Sequence, residues 1–173
     1  MWSRANALPA DVKATMTLTP GERVLAAAPD ASGNWLAGSA RALHLGSPTG
    51  WTVLPWERID RAAWDREGDR LEVVEVAEFG QPQLRHLHRI DEPGRLLELL
   101  HERVTASVLI TRHVPVEGSR GLRIVGRRAP GTDDPIVWSA LLDDTLDPQD
   151  PRVLRALDQG LELAFREVAE ATP

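Results

Sequence analysis

The chain reads as an α+β protein in which short antiparallel strands are followed by amphipathic helices. Three observations predict this. From Glu22 to Ile90, short β-like runs are cut at near-regular intervals by Gly, Pro, Asn and Asp. An apolar stripe at three- and four-residue spacing follows, in Leu96, Leu97, Leu100 and Val104. A second, stronger stripe ends the chain, in Leu154, Leu157, Leu161, Ala164, Phe165 and Val168. The expected architecture is a strongly bent antiparallel sheet or barrel capped by a helix, followed by a short β-meander and a C-terminal amphipathic helix packed on it.

The elements are expected in the following order. Leu8 to Met16 can form one or two helical turns beginning near Pro9, since proline fits a first turn where its missing donor is not required. Strands follow over Val24–Ala28, Trp35–Gly38, Ala42–Leu45 and Trp51–Leu54, with Gly46-Ser47-Pro48-Thr49-Gly50 as a turn. Pro55 removes a ladder donor, so the chain should change direction at Pro55-Trp56-Glu57-Arg58. Ile59–Asp65, Leu71–Val76 and Gln83–Ile90 continue the sheet. In Leu71–Val76 the alternation slips, which reads as a β-bulge or a two-sided strand. Asp91 is expected to cap the next helix. Val108 to Val116 and Leu122 to Arg128 form a hairpin about Gly118-Ser119-Arg120-Gly121, and Ile136 to Leu142 gives a further strand. The final helix should start at Asp150-Pro151.

Three stretches in the first half are similar to a known family. They are Pro20-Gly21-Glu22-Arg23-Val24-Leu25, then Leu54-Pro55-Trp56-Glu57-Arg58-Ile59 with Trp64-Asp65, and the closing helix from Pro93 to Val104. On these residues, about 20–107 resembles the bacterial pleckstrin-homology-like (PH-like) domains of small actinobacterial proteins. The resemblance implies a bent antiparallel sheet of about seven strands capped by a helix, and a scaffold rather than a defined ligand. It divides the chain into an N-terminal arm with a short helix over 1–19, a PH-like domain over 20–107, and a hairpin-strand-helix extension over 108–173, the whole forming one compact unit.

Composition excludes several classes. The chain has no cysteine, which removes disulfides and thiolate metal sites and fits a reducing compartment, so a cytoplasmic location is expected. The first residues lack the apolar core of a signal peptide, and no apolar run approaches membrane-spanning length. A net charge of −6 argues against general nucleic-acid binding. Charge is unevenly spread: residues 112–128 hold five arginines against one glutamate, whereas 129–173 hold three arginines against ten acids.

No catalytic or cofactor motif is legible. His86 and His88 lie two apart on an expected strand and can face one side, but a metal site needs a third ligand, such as His44 or His101. Asp143, Asp144, Asp147 and Asp150 match no calcium loop and are better explained as helix caps and solvated acids. Gly118-Ser119-Arg120-Gly121 joins two strands, unlike a nucleophile elbow. Trp35, Trp51, Trp56, Trp64 and Trp138 fall in or beside strands and should be buried or half-buried with bonded indole N–H groups; exposed rings can instead bind peptides or sugars. The most pointed feature is the basic hairpin, whose Arg120, Arg123, Arg127 and Arg128 can pair with an acidic partner, a phosphate or the chain's own acidic tail.

The expected function is therefore a non-catalytic protein-interaction or scaffold module, with no cofactor, no metal and no specific nucleic acid. Its partner would be another protein or the chain itself, met at the hairpin of Arg120, Arg123, Arg127 and Arg128 together with the neighbouring apolar sheet edge. One alternative is a small-molecule-binding protein or enzyme using a pocket between sheet and helices, with His86, His88 or His101 as acid–base groups. Another is a structural protein that self-associates through a sheet edge or the terminal helix.

Overall fold

A computed structural model describes residues 7–171. It is an α+β structure with three antiparallel sheets, and among the described residues no helix is long and apolar enough to cross a membrane. A short helix α1 (Ala10–Ala14) precedes a four-stranded sheet of β1 (Val24–Pro29), β2 (Trp35–Ser39), β3 (Ala42–Ser47) and β4 (Gly50–Pro55), paired in chain order. Pro55 ends β4, and Trp56–Arg58 makes one 3-10 turn that redirects the chain. A three-stranded sheet follows: β5 (Ile59–Asp65), β6 (Arg70–Glu75) and β7 (Arg85–Arg89). The seven strands were expected as one bent sheet or barrel, and the structure instead holds two sheets not closed into a barrel. No ladder joins them. At the seam, the Ala31 N–H donates to the Arg89 carbonyl at 2.8 Å and His88 Nδ1 lies 3.2 Å from Asp30 Oδ2.

Helix α2 (Arg95–Ser107) packs against β1, β2, β5 and the 3-10 turn. Asp91 does not cap it. Pro93 biases the residue before it toward extended backbone, and Gly94 at φ 51° makes the entry, so the helix starts only at Arg95. The stripe that seats α2 is Leu96, Leu99 and Leu100, all buried, with Leu97 and Val104 at its margin. Leu99 reaches Gly38, where a Cβ would stand 2.5 Å from Leu99 Cδ2. These leucines close over Leu36, Leu43, Leu54, Trp56, Ile59, Leu71, Val73 and Ile90, the larger core.

The bulge expected in Leu71–Val76 lies on its neighbour. Ile59 pairs with Glu75 and Arg61 with Val74, so β5 advances two residues where β6 advances one. Asp60 is therefore the extra residue. Its consequence for packing is visible in β5: Ile59, Ala62 and Trp64 all reach the core, a three-then-two spacing that an unbroken strand would not give.

The second part is a three-stranded meander of β8 (Val108–Glu117), β9 (Arg120–Arg127) and β10 (Val137–Leu142), in the order β10-β9-β8. It is covered on one face by α3 (Pro151–Ala171). Asp150 caps α3, its Oδ1 accepting the Arg152 N–H at 2.7 Å. The face of α3 turned to the sheet is centred on Val153, Gly160 and Ala164, with Leu157, Leu161 and Val168 beside them. Leu154 and Phe165, expected in that stripe, are 40% and 48% exposed. Phe165 instead packs edge-on to Trp138 at 4.6 Å.

Gly160 makes this packing possible. A Cβ there would lie 2.5 Å from Ile124 Cδ1 and 2.7 Å from Val114 Cγ2. Helix propensity alone favours Gly160→Ala by about 1 kcal/mol, yet Val114 is β-branched and stiff at χ1. Overpacking should outweigh propensity, giving a net loss of about 1–2 kcal/mol in equilibrium urea unfolding. A gain in stability would show that α3 rides freely on the sheet.

Candidate interaction site

Alternation along β9 sorts its side chains into two sets. Leu122, Ile124 and Gly126 face α3, while Arg123, Val125 and Arg127 face the first part of the chain. The basic hairpin is thereby divided. Arg127 has a side chain only 4% exposed, and its Nη2 donates to the Asp60 backbone carbonyl at 2.6 Å. That carbonyl belongs to the bulged residue of β5. Arg127 Nη1 donates to Ser107 Oγ at 3.1 Å, and burial lowers the Arg127 pKa against the opposing pull of the Asp60 carboxylate.

Asp60 is itself buried, and three donors face its carboxylate: Gln83 Nε2 at 3.2 Å, Arg123 Nη2 at 3.5 Å and Arg127 Nη2 at 3.5 Å. The carboxylate occupies the place that an external anion would take between Arg123 and Arg127. Arg120 is at the surface, bonded to Glu117 Oε2 at 2.8 Å and Thr145 Oγ1 at 3.1 Å. Arg128 faces a groove, with Leu109, Ile110, Glu167, Val168 and Ala171, of about 220 Å³. Its Nε is buried without a hydrogen-bond partner. The acidic tail does meet the basic segment, but through Arg112, which takes Glu167.

The groove opens beside β8, the terminal strand of its sheet, ten residues long. Leu109, Thr111, His113 and Pro115 alternate along it and are exposed. Among the described residues no strand pairs with its outer edge.

The other expected groups are placed as follows. His86 Nε2 lies 2.6 Å from Glu75 Oε1, so His86 and His88 each face a different carboxylate, and His101 is exposed on α2. None of the three lines the groove beside β8. Among the described residues no three or more His, Asp or Glu side chains gather as a metal would need. Asp143 holds the Thr145 hydroxyl and N–H, and Asp147 the Gln149 N–H. Trp56 is fully buried and its Nε1 donates to the Ser39 carbonyl at 3.2 Å; Trp35, Trp51, Trp64 and Trp138 are half-buried.

A cluster unanticipated from sequence joins the segment before β1 to the first sheet. Ser39 Oγ donates to Glu22 Oε1 at 2.6 Å and lies 3.2 Å from His44 Nε2. Ser39 is fully enclosed and also accepts the Ala42 N–H, so this serine is a bridge and not an accessible nucleophile. Burial lowers the His44 pKa against the raising effect of Glu22. For Glu22, burial raises the pKa but hydrogen bonds from Ser39, Thr19 and Arg41 outweigh it, so the net shift is downward. Asp60 also went unread, although the three-then-two spacing of Ile59, Ala62 and Trp64 marked its bulge.

These features define an α+β chain of antiparallel sheets whose surface opening lies at a strand edge. No family model matches the chain, and neither a curated protein nor a solved structure matches it.

Proposed function

We propose that the chain is a non-catalytic protein-interaction module on a PH-like frame, acting in the cytoplasm, that takes up an extended segment of a partner protein along β8. The observation that carries this reading is the edge of β8, unpaired among the described residues and regular from Ile110 to Pro115 between the bulges at Leu109 and Val116, beside the Leu109, Ile110, Val168 and Ala171 groove. An added strand would satisfy edge N–H and C=O groups and place an alternate apolar side chain in the groove. Arg128 supplies polarity: its guanidinium charge at the groove would favour an acidic side chain of the partner. The four-plus-three strand arrangement with α2 packed on it supports the PH-like frame. The cysteine-free composition suits a reducing cytoplasm.

Of the four arginines first singled out, Arg128 is the contact under this reading and Arg127 is an internal strut. Selection from a library of short random peptides tests it. Selected peptides should alternate apolar and polar residues and carry an acidic residue. Arg128→Glu and Leu109→Asp should each weaken their binding about tenfold or more, with the melting temperature unchanged. Failure to enrich any peptide, or equal binding by both variants, counts against the site.

A further inference from the structure

A second opening lies at the far end of the first sheet, between α1, the β1–β2 turn and the β3–β4 turn, and has a volume of about 340 Å³. This is at the lower end of the roughly 300–1,000 Å³ of small-molecule sites. Trp35 and Trp51 form part of its wall, and Gly46 lies between them: a Cβ there would sit 2.7 Å from the Trp35 carbonyl oxygen and 3.3 Å from Trp51 Cζ3. The absence of that side chain lets the Trp51 ring lie against the strand. Trp51 is further fixed by its Nε1, which donates to Thr15 Oγ1 at 2.9 Å.

The polar groups of this wall are unequal. The Thr15 hydroxyl is already used twice, accepting from Trp51 and donating to the Val12 carbonyl at 2.7 Å. Ser47 Oγ donates to the Gly50 carbonyl at 3.1 Å. Asp11 differs: no hydrogen bond or ion pair holds its carboxylate, and it is the only charged residue of the wall, both among the described residues. Among the described residues no lysine, arginine or histidine lines the opening.

We propose that this opening binds an organic cation, an alkylated ammonium group, against the faces of Trp35 and Trp51 with Asp11 as counter-charge. Indole faces carry negative potential and attract such cations, most of all when these are bulky and weakly hydrated. A sugar would need several polar partners, and with the hydroxyls of Thr15 and Ser47 committed within the chain the Asn34 amide and the Asp11 carboxylate remain among the described lining side chains. An anion would be repelled by the Asp11 carboxylate. The net charge of −6 favours the approach of cations.

The test follows the indole N–H resonances of the full chain by NMR, with Trp35 and Trp51 assigned from Trp35→Phe and Trp51→Phe. Tetramethylammonium chloride is titrated against sodium chloride at equal ionic strength, tert-butanol as a neutral isostere, and N-acetylglucosamine. Tetramethylammonium should give a saturable shift confined to Trp35 and Trp51, with tert-butanol at least about fivefold weaker. Asp11→Asn, at an exposed position that leaves folding unaffected, should weaken binding about two- to fivefold, and Trp35→Leu by a similar factor. The proposal is overturned if no saturable shift occurs, if tert-butanol or the sugar binds as tightly, or if Asp11→Asn binds like the wild type.

Discussion

Asp60→Ala is expected to destabilise the folded chain by about 3–5 kcal/mol, because it leaves the Arg127 guanidinium buried without its counter-charge. The substitution keeps the Asp60 carbonyl, so Arg127 retains that bond and the one to Ser107. What it loses is compensation for a charge whose side chain is 4% exposed. Arg123, at 46%, can turn to water. Arg127→Met should cost less, since Gln83 and Arg123 still face the carboxylate and methionine fills the volume. The double variant should be more stable than Asp60→Ala alone, with a coupling of about 1 kcal/mol or more in a double-mutant cycle. Urea midpoints measure all three. A loss within about 0.5 kcal/mol for Asp60→Ala would show that solvent reaches Arg127 and that the pair does not hold the two parts together.

Trp56→Ala should cost a similar amount, about 3–5 kcal/mol, for a different reason. Trp56 is fully buried in the 3-10 turn that passes the chain from one sheet to the other. Its ring lies near Gly38 and Leu99, and its N–H holds the end of β2 through the Ser39 carbonyl. Truncation removes the contact shared by both sheets and α2 and leaves a buried carbonyl without its donor. Trp56→Phe isolates the second term, expected near 1 kcal/mol plus the lost ring area. Circular dichroism during urea unfolding reads both. A loss below about 1 kcal/mol for alanine would mean that the core relaxes into the space.

The order and kind of the elements were legible because their boundaries rest on local chemistry. Glycine and proline at 46–50 and 118–121 make turns wherever they occur, and Asp150-Pro151 begins a helix with its own side chain. The edge of the α3 stripe was less legible: apolar spacing drew in Leu154 and Phe165, whereas close approach selects Val153 and Gly160, and a glycine contributes nothing to an apolar pattern. The division of the basic hairpin was harder still. Four arginines in nine residues look alike as a charge cluster, yet Arg127 bonds to a residue 67 positions away. The hint was Val125, an apolar residue sharing the face of Arg123 and Arg127, which shows that this side of β9 is covered too. The β8 edge was foreseen only as apolar sheet beside the hairpin, since which strand is outermost depends on β10 joining β9 on its other side.

Asp60 is supernumerary to its strand. Excising it would leave Ile59, Ala62 and Trp64 in strict alternation, so β5 would become an ordinary strand with the same three residues inward. One of the anchors of Arg127 thus sits on a single inserted residue, beside a second at Ser107. Deleting Asp60 would therefore separate the share of the C-terminal layer's attachment that rests on this bulge from the share that rests on Ser107 and on Phe79, which packs into the second core.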